Sequence, residues 1–151
     1  MSNEQIEIKI DNKKVEKALL EIAQKTSNLR PLMKNIAGIM ADSTEENFKV
    51  EGRPKWKDLS KKTKTVRKKT RHYPGQILQV SGQLALSVTT QYDDSSAVIG
   101  SNKVYAAIHQ LGGQAGKNKK TTIPARPYLK LTEDDFEEIL AKTVKYFRKK
   151  Q

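Results

Sequence analysis

Residues 132–150 read TEDDFEEILAKTVKYFRKK, and this stretch decides the fold class. Thr132 precedes three acids, Glu133, Asp134 and Asp135; Phe136, Ile139, Leu140, Val144 and Phe147 follow at helical spacing; the run from Lys145 to Lys150 is rich in cations. A hydroxyl at the cap, carboxylates in the first turn and ammonium groups in the last each oppose the partial charge of the helix end they occupy. The spacing predicts an amphipathic helix with one apolar stripe, and such a stripe has to be covered by another layer.

The covering layers are sought upstream. Leu29, Met33, Ile36 and Met40 recur at helical spacing toward Phe48, Pro31 suits a first turn, and Gly52 and Pro54 close the segment. Gly38 inside this helix costs roughly 1 kcal/mol relative to Ala and is either a close-packing site or without consequence. Earlier still, Asp11 or Asn12 caps a helix carrying Val15, Leu19 and Ile22 that ends near residues 26–28, and Ile6, Ile8 and Ile10 alternate with charges as in a half-buried strand. In the middle, Leu84, Leu86, Val88, Thr90 and Tyr92 alternate, Asp93 and Asp94 supply a turn, and Ala97 to Ile99 give a partner strand, so a β-hairpin is expected. Tyr105 to Leu111 reads as a short helix stopped by Gly112 and Gly113; Gln114 to Thr122 is a polar loop or a long hairpin tip; Ile123 to Leu131, with Pro124 and Pro127, is extended. The sum is an α+β class: long helices and a C-terminal helix packed on a small antiparallel sheet with a β-hairpin. One domain over residues 1–151 is expected, with a mobile basic segment at 55–73 and a mobile loop at 113–122.

Composition narrows the function classes. The 151 residues are 36% hydrophobic and 30% charged, with a net charge of +12, so much of the chain is solvated or faces a partner. Cysteine is absent, which removes disulfides and thiolate chemistry. Charges at Glu4, Glu7 and Lys9 leave Met1 to Ile10 without the apolar run of a signal peptide or membrane span, and a cytoplasmic origin is expected. His72 and His109, the only histidines, stand in no metal-binding spacing, no nucleophile elbow is present, and the glycines at 112, 113 and 116 are not followed by the Lys-Ser/Thr pair of a phosphate loop. The acids at 133–135 are explained by the helix end they occupy. No catalytic, cofactor-binding or metal-binding residue is assigned.

Between Lys55 and Arg71 there are nine Lys or Arg against one Asp, a net of +8. Ser60 caps a short helix through Lys69 in which Val66 is nearly the only apolar residue, so burial contributes little to ordering it. Lys61, Lys62, Lys64, Arg67, Lys68 and Lys69, with Lys117, Lys119 and Lys120 further on, are candidate contacts for DNA phosphates or an acidic partner; a solvated segment is the alternative. The rings able to stack on bases, Trp56, His72 and Tyr73, lie at the edges of the run.

A series of segments carries a resemblance. Gly52-Arg53-Pro54-Lys55-Trp56 is followed by Leu59-Ser60 and Thr63, Ile77-Leu78, Ser81-Gly82-Gln83-Leu84, Ser87-Val88 and Ile99-Gly100-Ser101. Then come Val104-Tyr105-Ala106-Ala107-Ile108-His109-Gln110, Gly112-Gly113, and Ile123-Pro124-Ala125-Arg126-Pro127-Tyr128-Leu129. In this order the pieces, spanning about residues 48–131, resemble the phage virion morphogenesis family, which includes tail completion proteins of Mu-like and P2-like phages. Tyr128 stands where Phe is commoner, and the Lys-rich stretch after Trp56 is long. The resemblance implies a non-catalytic virion component without cofactor that acts late in tail morphogenesis, made in the host cytoplasm and then part of the tail or neck. Its implied partners are further copies in a ring at the head-proximal end of the tail tube, and tail tube or connector proteins. Lys117 to Lys120 and the basic segment would face a tube lumen, DNA or an adjoining ring.

On their own chemistry, Tyr128 and Leu129 pin a core edge or dock a neighbour, and Arg126 between two prolines offers a planar donor fork. His109 and Gln110 are local hydrogen-bonders or interface groups, and Trp56 is a packed anchor. The alternative to a virion role is a basic regulator that binds nucleic acid.

Overall fold

The computed structural model describes residues 6–8, 13, 14, 17, 21 and 28–149. Its central element is helix α1, Arg30–Val50, with Pro31 in the first turn. Leu32, Met33, Ile36, Ala37, Ile39, Met40 and Phe48 are all buried, a stripe wide enough to serve two neighbours. One side lies against a three-stranded antiparallel sheet and another against the C-terminal helix. The helix stops where Glu51 and Gly52 take positive φ, and the Gly52 N–H returns to the Asn47 carbonyl at 2.8 Å. A Cβ on Gly38 would meet nothing within 4 Å, so close packing is not what that glycine serves.

The sheet order is β1-β3-β2, from β1 (Ile6–Ile8), β2 (Val88–Tyr92) and β3 (Ala97–Ser101). β3 is the middle strand, pairing Ile99 with Ile8 on one side and with Thr90 on the other. Asp93 closes the β2–β3 hairpin by accepting from the Ser95 and Ser96 amides at 2.8 and 2.7 Å. Strand alternation begins later than the sequence suggests. Residues Gln83–Ser87 form a short helix, α3, entered through Gly82 at φ +72°; Leu84 is buried while Leu86 is 85% exposed. An apolar-polar alternation over five residues is ambiguous when one of its members packs from a helical turn.

Helix α2 (Lys61–Lys69) starts at Ser60, whose hydroxyl accepts from the Thr63 amide at 3.2 Å. Helix α4 (Ala106–Leu111) ends at Gly112, after which β4 (Gly113–Ala115) and β5 (Thr121–Ile123) form a second, two-stranded antiparallel sheet in the stretch read as a loop or hairpin tip.

The last helix, α5 (Glu133–Arg148), has the expected cap in full: Thr132 Oγ1 accepts from the Asp135 amide and Asp135 Oδ2 accepts from the Thr132 amide. Its buried face is set one residue from the sequence reading. Ile139 and Thr143 are buried, whereas Leu140 and Val144 are exposed. Thr143 tolerates that position because its hydroxyl donates to the Ile139 carbonyl at 2.7 Å. Of the expected first helix, Lys13, Lys14, Lys17 and Glu21 are helical and exposed; Ile10, Val15, Leu19 and Ile22 lie outside the described residues.

Candidate functional site

The extended segment from Ile123 to Leu131 is a strap that crosses the core and ties three distant parts of the chain together. Tyr128 is its fully buried centre. Its ring lies 5.2 Å from that of Phe48, and its hydroxyl donates to the Ala106 carbonyl at 2.9 Å; burial pushes that hydroxyl's pKa up to about 12. Leu129 is buried beside it, and its amide donates to Gln110 Oε1 at 3.0 Å, which fixes the α4 end of the strap.

Arg126 is buried and points back toward the start of the basic segment. Its Nε donates to the Lys57 carbonyl at 3.0 Å and its terminal nitrogen to the Asp58 carbonyl at 3.2 Å. The Arg126 amide donates to the His109 carbonyl at 2.8 Å. Burial lowers the guanidinium from its ordinary pKa, while Asp58 works in the opposite direction. His109 is half-buried and edge-on to Tyr105, and burial followed by the nearby Arg126 charge lowers its pKa, which favours the neutral ring at pH 7. Its Nδ1 is buried with no hydrogen-bond partner among the described residues.

Two glycines permit this approach. A Cβ on Gly112, at φ +73°, would lie 2.8 Å from the Ala125 nitrogen, and one on Gly52 would collide with the Trp56 ring. Trp56 is buried, stands edge-on to Phe48 at 5.9 Å and directs its indole N–H to the Pro127 carbonyl at 3.4 Å. Pro124 and Pro127 are half-buried along the strap. Leu59 packs at the margin of the core and Leu84 within it; Gly100 sits in β3 opposite Glu7 and Thr89, Gly113 opens β4, and Pro54 is exposed.

The strongest polar lock centres on Asn47, which is not among the candidate site residues. Asn47 is fully buried, and its amide nitrogen donates to the carbonyls of Tyr128 and Lys130, each at 2.9 Å. Its Oδ1 accepts from Arg53 Nε at 2.8 Å. The same guanidinium donates to the Ser43 carbonyl at 2.8 Å and hydroxyl at 2.7 Å, and Ser43 donates in turn to Asp135 at 2.5 Å. Burial raises the Asp135 carboxyl, but hydrogen bonds from Ser43 and Thr132 and the Arg53 charge outweigh it and hold the carboxyl below its ordinary range. The signal available in sequence was Asn47 itself, a polar residue inside the apolar stripe of α1.

The basic surface is built differently. Lys61, Lys62, Lys68, Lys69 and Arg71 are exposed, and Lys64 pairs with Asp58 at 2.5 Å, a contact that lowers the Asp58 pKa and raises that of Lys64. Arg67 turns inward instead, donating to the Gly75 and Gln76 carbonyls at 3.3 and 3.0 Å and fastening α2 to the chain that follows it. Val66 is 53% exposed between the lysines. The Lys68 ammonium lies 5.1 Å from the centre of the Tyr73 ring, while His72 contacts Thr70. Lys117, Lys119 and Lys120 are exposed at the tip of the β4–β5 hairpin. Among the described residues no group of three or more His, Asp or Glu is placed to hold a metal, and no helix is long and apolar enough to cross a membrane.

The model of the phage virion morphogenesis family matches residues 10–148. The chain belongs to that family. Within the phage virion morphogenesis family it is 42% identical to the Mu-like prophage FluMu G protein 2 of Haemophilus influenzae, over 95% of this chain and 96% of the relative. It is 35% identical to FluMu G protein 1 of the same organism, over 90% of each chain. The putative capsid assembly protein G of Escherichia phage Mu is 34% identical over 87% of each. No solved structure matches. Membership in this family gives the chain a structural role in phage virion assembly.

Proposed function

We propose that this protein completes or caps the phage tail and helps to join it to the head, working as a homo-oligomeric ring in the assembled particle and turning over no substrate. The carrying observation is how the polar side chains are used. Asn47, Arg53, Arg126, Gln110 and Tyr128 are spent on locking the strap to α1, α4 and the start of the basic segment. What remains outward is a basic helix and a projecting hairpin, surfaces suited to neighbours. The partners of this reading are tail tube or connector proteins. Phage carrying a stop codon in this gene are expected to accumulate separate heads and tails, scored by electron microscopy and infectivity. Complete, infectious particles from that mutant would overturn the role, as would failure of the protein to retain either tail tube or connector protein in a pull-down.

The exposed lysines of α2 favour a second reading that is compatible with the first, contact with DNA phosphates. No acid lies on α2, and an aromatic ring stands beside Lys68. Duplex binding that weakens steeply with salt is its signature. Retention of the same salt slope after replacing Lys61, Lys62, Lys68 and Lys69 by Gln would exclude α2 as the contact.

A further inference from the structure

Two features of the fold are incomplete in a single copy. β2 is an outer strand of its sheet, with β3 on one side and no partner for the other among the described residues. The β4–β5 hairpin is a two-stranded sheet of three-residue strands, and its side chains from Gly116 to Thr122 are all exposed. Isolated hairpins of this size are marginal in water, and a free strand edge is a template for pairing with another chain. Resting on the ring reading above, we propose that the hairpin of one copy adds, through β5 and antiparallel, to the free edge of β2 in a second copy.

Charge selects which end of β2 the hairpin tip lies against, and of the two pairings that meet it, antiparallel through β5 and parallel through β4, the antiparallel ladder is the more stable. Between Asp58 and Glu133 the only acids are Asp93 and Asp94, which lie immediately past the end of β2. Antiparallel pairing through β5 sets the start of β5, and with it the tip lysines 117, 119 and 120, beside those two carboxylates. Antiparallel pairing through β4, or parallel pairing through β5, would place the same lysines at the far end of β2. The Asp93 carboxyl is held below its ordinary pKa by the Ser95 and Ser96 amides, so it carries charge at neutral pH.

Apolar residues lie on the side away from the charges. Leu111, 72% exposed at the base of the hairpin, comes toward Leu86, 85% exposed just before β2. At ~3.3 Å per residue, β5 (Thr121–Ile123) spans ~7 Å and covers about half of the ~13 Å from Val88 to Tyr92. The donor hairpin and the acceptor edge are different surfaces, so each copy gives one and receives one. A contact of this kind passes from copy to copy and closes into a ring when its rotation permits.

Charge reversal tests this on the full chain by light scattering at low salt. The tip variant is Lys117→Glu/Lys119→Glu/Lys120→Glu; the edge variant is Asp93→Asn/Asp94→Lys, in which Asn retains the turn's oxygen acceptor. Wild type is expected at a multiple of 17.1 kDa, each variant alone at the monomer mass, and an equimolar mixture of the two reassembled above it, because each reversed surface then meets its complement. Far-UV circular dichroism checks that both variants are folded. Folded variants that assemble like wild type, or a mixture that stays monomeric, would overturn the edge pairing and leave the ring reading standing. A wild type that stays monomeric at every concentration would overturn both.

Discussion

The strap around Tyr128 and the helix α2 are both rich in hydrogen-bonding and charged side chains, yet they use them in opposite ways. Along the strap nearly every donor finds a carbonyl or carboxylate inside the same chain, from Asn47 to the Tyr128 and Lys130 carbonyls and from Arg126 to the Lys57 and Asp58 carbonyls. On α2 Arg67 does so from a buried position and Lys64 only at the surface, to Asp58, while Lys61, Lys62, Lys68 and Lys69 are exposed. Buried donors and acceptors that satisfy one another specify a single arrangement and are costly to break singly. Exposed cations add little to stability and are available to a partner. The contrast separates residues that make the fold from residues left at the surface.

Breaking the strap at Asn47 gives the largest effect. Asn47→Ala leaves two carbonyls and the Arg53 Nε–H without their partner in a buried site and opens a cavity, which together cost about 4 kcal/mol. At about 2–4 °C per kcal/mol for a chain of this size, thermal unfolding followed by circular dichroism should show a drop of roughly 10 °C. An unchanged melting temperature would mean that the lock is decorative.

Tyr128→Phe is smaller because the ring and its packing on Phe48 survive, and only the bond to the Ala106 carbonyl is lost. A loss of about 1–2 kcal/mol by urea denaturation is expected. A substitution that leaves the midpoint unchanged would assign Tyr128's contribution to its ring alone.

Asp135 links the strap's polar lock to pH. Its folded pKa lies below the ordinary 3.8, so its contribution is present above that value and is lost as pH falls through the folded one. Melting temperature measured as a function of pH should fall on the acid side in wild type and fall less steeply in Asp135→Asn. Parallel acid limbs would remove Asp135 from the set of titrating groups that matter.

How much of this was open to a reader of the sequence depends on the distance between partners. Helix α5 and its capping box, α1 with Pro31 and its Gly52 stop, and the Ser60 cap of α2 were legible because cap, period and stop all lie within a few residues. The start of β2 and the exact face of α5 were not. Leu84 packs from a helical turn and Thr143 replaces Val144 in the core, and neither choice can be made without the neighbouring layer. The strap's lock was least legible: Asn47 and Tyr128 are 81 residues apart, and Ser43 and Asp135 are 92 apart, separations that leave no local spacing. Asn47 and Ser43 therefore carry no local signal, and Arg53 and Asp135 stand out only as a motif residue and a helix-cap acid, whereas Gln110, Arg126 and Tyr128 are legible as candidates. Arg67 was grouped with the outward lysines because composition does not tell which member of a basic run turns inward.

That last ambiguity supplies the finest test of the comparison, since it sets two kinds of cation against each other within one helix. Replacing Lys61, Lys62, Lys68 and Lys69 together by Gln removes four charges from solvent and should move stability by no more than about 0.5 kcal/mol in either direction. Arg67→Gln removes one charge but also frees the Gly75 and Gln76 carbonyls, and should cost about 1–2 kcal/mol, more than the four lysines combined. Urea denaturation of both variants reads the difference directly. If the quadruple variant proved the less stable, the basic helix would be held by its surface charges, and its separation from the strap as an outward-facing surface would be lost.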